Sequence, residues 1–122
     1  MIVAGFGFRA SASEASLRSA LEAAAAPGPL AALAAPEDKT AAPAFRALAE
    51  ALHLPVIAVA PEALAATETV THSPKVAALR GTGSVAEAAA LSAAGQGARL
   101  ICPRMVSEDR LATCALAEGT PI

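Results

Sequence analysis

Residues 81–91, Gly-Thr-Gly-Ser-Val-Ala-Glu-Ala-Ala-Ala-Leu, carry the spacing in this sequence best suited to chemistry. Ser84 is a natural helix N-cap and Glu87 stands three residues later, the arrangement of a capping box. Gly81 and Gly83 free the backbone before the helix to take φ > 0 or to let another group come close. The first amides of such a helix have no partner within it and carry its positive dipole end. A mouth built this way receives a carboxylate or a phosphate. The same residues also read as nothing more than a well-made cap, and both readings stand at this point.

Three cations have comparable potential. Arg9 closes Gly5-Phe6-Gly7-Phe8-Arg9, Lys39 closes Ala35-Pro36-Glu37-Asp38-Lys39, and Arg104 follows Pro103. Each comes just after an apolar, strand-like run. In open α/β sheets ligands bind at the carboxyl ends of the strands, so all three belong to one rim if the fold is of that kind. Together with Gly83, Ser84, Val85 and Glu87 they would suit a ligand bearing several carboxylates or phosphates. The bland alternatives are equally concrete. Gly5-x-Gly7 lacks the full dinucleotide fingerprint and reads as a plain turn. Lys39 and Arg104 also read as solvated surface cations, and Glu87 could pair with Lys39 or Arg9 to orient it. His53 ends a predicted helix, where positive charge suits the dipole, and His72 lies in a polar loop.

Conventional catalytic constellations are missing from the sequence. It has no nucleophile elbow, P-loop, HExxH or CxxC, and its two histidines and two cysteines have no metal-ligand spacing. No metal or cofactor is therefore expected. Cys102 and Cys114 are too few for a disulfide scaffold and read as small buried hydrophobes.

Composition narrows the partners. The 122 residues suit one domain spanning 1–122. The apolar fraction of 55% is inflated by alanine, so large side chains for a core are fewer than it suggests. Three Phe with no Trp or Tyr disfavour single-stranded nucleic acid, which stacks bases on aromatic rings. A net charge of −2 lacks the basic footprint of a duplex binder. The longest apolar tract, 23–36, is broken by Pro27, Gly28 and Pro29 and falls short of the ~20 residues of a membrane span. The start, Met-Ile-Val-Ala-Gly, has no basic region before an apolar stretch. A cytoplasmic protein with neither nucleic-acid nor membrane partners is expected.

The elements that must position these residues follow from periodicity. Strands are predicted at 2–6, 30–34, 56–59, 100–102 and 111–116. Helices are predicted at 14–25 behind Ser13, at 43–53 behind Pro43, and at 84–94 up to Gly95. A helical turn at 61–66, an exposed loop at 67–72 and a short helix from Ser73 to Leu79 complete the chain. Alternating strands and helices with short connections give an α/β three-layer sandwich around a mostly parallel, mixed sheet of about five strands. The last two strands, joined through Glu108-Asp109-Arg110, should form a hairpin-like antiparallel edge.

Val3-x-Gly5-x-Gly7-x-Arg9, Ala35-x-x-x-Lys39, Gly83-Ser84-Val85-Ala86-Glu87-Ala88-Ala89-Ala90 and the closing Thr113-Cys114-Ala115-Leu116-Ala117 together resemble the CobE family. That family is related to the C-terminal domain of CbiG and belongs to cobalamin (vitamin B12) biosynthesis, within porphyrin and corrin metabolism. The resemblance spans nearly the whole chain. It departs at Pro103-Arg104, where relatives often carry Pro-Lys. A cation is kept there, but a role needing a deprotonatable amine is put in doubt. The chain also lacks the N-terminal region of full-length CbiG proteins, which are associated with opening the δ-lactone of a cobalt-precorrin.

The resemblance implies a tetrapyrrole ligand, a precorrin or corrinoid intermediate whose acetate and propionate arms would meet Arg9, Lys39, Arg104 and the helix mouth. Phe6 and Phe8 would touch the ring face if either is exposed. Other cobalamin-pathway enzymes are the implied protein partners. Three functions compete: a module that binds and carries the intermediate, an enzyme on the macrocycle periphery, and a generic anion-binding domain. In the enzyme, Glu87 would be the general base, Ser84 or a water the nucleophile, and Lys39 the charge stabiliser.

Overall fold

The computed structural model describes residues 1–67, 69 and 84–119. Strand β1 (Ile2–Phe8) leads through α1 (Glu14–Ala24) to β2 (Leu30–Pro36), then through α2 (Pro43–Leu52) to β3 (Val56–Val59). A short α3 (Pro61–Ala66) follows, and the later part comprises α4 (Val85–Ala94), β4 (Arg99–Val106) and β5 (Ala112–Glu118). The expected helix from Ser73 to Leu79, His72, Gly81 and Gly83 lie outside the described residues, as does most of the loop at 67–72.

The five strands form one mixed sheet in the order β3-β2-β1-β5-β4. β1, β2 and β3 are parallel, β5 runs antiparallel to β1, and β4 antiparallel to β5. The expected hairpin is present, but its last strand is not the edge. β5 is inserted between β1 and β4 because its Ala-x-Cys-Ala-Leu-Ala run is buried on both faces and needs neighbours on both sides. β4 takes the edge, where Pro103 removes no ladder donor that a neighbour needs.

Alternation along β1 separates two cores. Ala4 and Phe6 face one way and pack with Leu17 and Ala20 of α1 and with Phe45 and Leu48 of α2. Val3 faces the other way, with Ala34 and Ala117, and packs with Leu64 of α3 and Ala88, Ala89, Ala90 and Ala94 of α4. The weak β propensity of Leu-Ala-Ala-Leu-Ala is overridden here, because β2 is paired on both sides and four of its alanine and leucine side chains are buried.

Gly5-x-Gly7 is not a turn. Both glycines lie inside β1, paired with Ala115 and Thr113 of β5, so the strand runs two residues past its expected end. Their missing side chains serve α4 instead. A Cβ on Gly5 would stand 2.8 Å from Ala90 Cβ and closer still to the Ala86 carbonyl oxygen and the Ala90 nitrogen. Gly119 is overlain in the same way by the Ala94 carbonyl group. With Ala34 and Ala115 beside Gly5, the sheet offers α4 a floor of small residues on which alanines, not leucines, make the contact.

Candidate functional site

The packing of α4 fixes its direction. Its first residue, Val85, lies against Gly7 near the end of β1, and its last, Ala94, lies against Gly119 beside the start of β1. The helix therefore runs antiparallel to β1, and its amino end sits at the carboxyl rim of the parallel strands. The chain also switches sides here: β2 and β3 lie on one flank of β1, β5 and β4 on the other. Such a switch point is where open α/β sheets take their ligands.

Ser84 is the N-cap of α4, in extended conformation, and its Oγ accepts the Glu87 amide at 3.3 Å. Glu87 is fully buried, and its Oε2 accepts the main-chain N–H of Arg104 at 2.9 Å. This carboxylate links the first turn of α4 to β4, a contact nothing in the local sequence announces. The donor is available because β4 is bulged: the eight residues Arg99–Val106 oppose only Thr113–Glu118 of β5, with a register shift between Cys102 and Met105.

Arg9 is exposed, one residue beyond β1, and its amide donates to the Leu111 carbonyl at 2.9 Å. Lys39 lies in the turn after β2, half-buried, with Nζ 5.3 Å from the centre of the Phe8 ring. Phe8 is stacked on Phe45 with ring centroids 5.8 Å apart, and Phe6 meets Phe45 edge-on at the same separation. Lys39 is thus held over an aromatic ladder by a cation–π contact. Phe6 is completely buried in the core and is not available to a ligand, whereas Phe8 is half-exposed. Gly5 is also fully buried under α4 and shapes the rim only by letting that helix close; Gly7 and Val85 meet each other at the mouth. Arg9 and Lys39 follow β1 and β2 at the end where α4 begins, whereas Arg104 lies inside β4, two residues before its end and not beyond the strand as expected; Gly83 is outside the described residues.

One rim cation escaped the sequence analysis. Arg110 occupies a left-handed conformation, φ 64°, in the turn between β4 and β5. That turn lies beside Arg9, because β5 starts where β1 ends. Only a signal for β1–β5 pairing would have exposed this, and strand pairing across a hundred residues leaves none in a single sequence. The same turn carries Asp109, whose carboxylate is fully engaged by Ser107 at 2.6 Å, Ser16 at 2.5 Å and the Leu111 amide at 3.0 Å. These hydrogen bonds, that from Ser107 foremost, hold its carboxyl below the usual range. Asp109 fastens the hairpin to α1; its charge is spent on structure.

Two shallow depressions lie away from this rim. One, of 410 Å³, is lined by Thr67, Leu91, Ser92 and residues 95–98 near the carboxyl end of α4. The other, of 640 Å³, lies on α2 around Arg46, Glu50 and His53. His53 is the C-cap of α2 in left-handed conformation, φ 55°, so it ends that helix rather than belonging to it.

The fold is an α/β domain in which α4 opens at the carboxyl rim of a mixed sheet, the rim at which Arg9 and Lys39 follow their strands. Residues 2–117 match the sequence profile of the family described as cobalamin synthesis G C-terminus, and the chain belongs to that family. It is a cobalamin biosynthesis protein of the CobE and CbiG type. Two solved structures agree over almost the full length. CobE, a protein from the cobalamin (vitamin B12) biosynthetic pathway, is 34% identical over 96% of this chain and 89% of its own, with a TM-score of 0.84. The cobalamin biosynthesis protein chiG from Agrobacterium tumefaciens is 36% identical over 99% of this chain and all of its own, with a TM-score of 0.76. A cobalamin biosynthesis protein G homolog from Sulfolobus solfataricus shares the fold at 19% identity and a TM-score of 0.70. This chain spans 36% of that longer protein. No curated protein sequence matches the chain.

Proposed function

We propose that this protein binds a polycarboxylated precorrin or corrinoid intermediate at the carboxyl rim of its sheet, as a carrier or accessory module of the pathway. One observation carries the reading: Arg9 and Lys39 follow their strands, and Arg104 nears the end of its own, at the rim where the capped helix α4 opens. Cations spread along one rim, beside helix amides, suit a broad ligand with several carboxylate arms. The half-exposed Phe8 ring beneath Lys39 adds an apolar surface next to a cation, matching a macrocycle whose arms surround a flat body. Ligand contacts are proposed for Arg9, Lys39, Arg104, Gly7, Val85 and Gly83, with Ser84 contributing as the cap that orders the first turn of α4.

Catalysis on the macrocycle periphery is less well supported. Ser84 is buried and its Oγ already accepts the Glu87 amide, while the Glu87 carboxylate is buried against the Arg104 amide. Neither is presented as a nucleophile or a base. Mixing the protein with a series of coloured corrin intermediates, and recording both the visible spectrum and the product mass, tests the two together. A spectral shift with unchanged mass is expected. Changed mass would replace the carrier by an enzyme, and no shift with any intermediate would remove the ligand.

A further inference from the structure

The bond between Glu87 and β4 does more than bury a carboxylate. Between Cys102 and Met105 the strand advances three residues while β5 advances two, from Leu116 to Cys114. A bulge of this kind takes an amide out of the ladder and re-aims the residues that follow. The displaced amide of a half-buried residue needs an acceptor. Glu87 provides it, from the first turn of α4, where the helix amides favour negative charge. A carboxylate accepting a main-chain N–H is among the stronger hydrogen bonds, so the joint between helix and strand is firm.

We propose that Glu87 is a positioning residue of the anion-binding rim. By holding the Arg104 amide it locks the β4 bulge, and so sets where the Arg104 guanidinium stands relative to the mouth of α4. The inference takes its ligand, a polycarboxylate, from the corrinoid-binding reading, but its structural half needs no ligand. It also makes a chemical distinction. Holding an amide requires only an acceptor oxygen, so glutamine can serve at position 87, whereas a general base there could not be replaced by glutamine.

The test has two arms. Without ligand, amide proton shifts and hydrogen exchange are recorded for the wild-type protein, Glu87→Gln and Glu87→Ala. The Arg104 amide should lose its protection in Glu87→Ala and keep most of it in Glu87→Gln, with Leu17 and Leu116 unchanged. If Glu87→Ala does not fold, Glu87→Gln alone decides: its Arg104 amide shift must move more than those of β5. In the second arm, cobyrinic acid, a corrin with free acetate and propionate arms, is titrated against Glu87→Ala, Arg104→Ala and the double variant. Each single change should weaken binding about tenfold, the scale of one charge-assisted contact. The double variant should be no weaker than either, because both remove one contact. Multiplying losses, an Arg104 amide indifferent to position 87, or Glu87→Gln as damaging as Glu87→Ala would overturn the proposal. If the wild-type protein does not bind cobyrinic acid, the corrinoid reading falls, and the positioning bond is judged by the ligand-free arm.

Discussion

Replacing Gly5 by alanine should unseat helix α4. The added methyl group would stand 2.8 Å from Ala90 Cβ and nearer still to two main-chain atoms, the Ala86 carbonyl oxygen and the Ala90 nitrogen. An ordinary carbon–carbon contact begins near about 3.5 Å, so the helix must retreat by roughly 0.7 Å or more. Backbone cannot rotate out of the way as a side chain can. Moving α4 also opens gaps beneath Ala86, Ala88, Ala89 and Ala90, all completely buried. Overpacking of this type costs about 1–3 kcal/mol, and a clash with helix backbone belongs at or above the top of that range. For a domain of this size, about 3 kcal/mol lowers Tm by roughly 10 °C. Gly7→Ala is the control, since its Cβ meets only Thr113 Oγ1 at 3.0 Å and the Val85 side chain at 3.3 Å or more. That change should cost less than about 1 kcal/mol. Thermal and urea unfolding of both variants measure the difference. A Gly5→Ala protein as stable as Gly7→Ala would refute the close-approach account of the Gly5-x-Gly7 pair.

Three further outcomes are expected. Ala25 ends α1 in a left-handed conformation, φ 52°, and is exposed, so Ala25→Gly should raise stability by up to about 1 kcal/mol, read as a higher Tm. Asp109 has a lowered carboxyl pKa in the folded protein, so the stability it contributes is present above its unfolded value near ~3.9 and is lost as pH falls through the folded one. The gap in urea stability between wild type and Asp109→Asn should therefore close on acidification; a gap independent of pH would remove Asp109 from this role. Burial pushes both thiols up, Cys114 far more than Cys102, and Cys114 is completely enclosed. Mass spectrometry after alkylation of the native protein should find slow labelling at Cys102 alone, with Cys114 labelled only on unfolding.

Local pattern carried most of the secondary structure. Ser13 and Ser84 cap their helices as their types and positions imply, and α2, α3 and β3 fall where prolines and apolar runs place them. These features depend on residues a few positions apart, and a sequence states such relations directly. Gly5-x-Gly7 shows the limit. Glycine marks either a turn or a close approach, and only the helix seated above decides between them. β4 likewise extends four residues past its expected end, through Pro103, because an edge strand tolerates a missing donor.

The sequence by itself determined an α/β chain with a capped helix, two cations, Arg9 and Lys39, placed after strands, and motifs that resemble one cobalamin-pathway family. Tertiary structure decided what those residues face. It put β5 between β1 and β4, which brought Arg110 beside Arg9, and it buried Phe6 while leaving Phe8 under Lys39. It also turned Glu87, read as half of a local cap, toward the amide of Arg104 seventeen residues away. The physical reason is the same in each case. Caps and periodicities are set by neighbours along the chain, whereas strand order, burial and the destination of a displaced amide depend on which distant segments share the core.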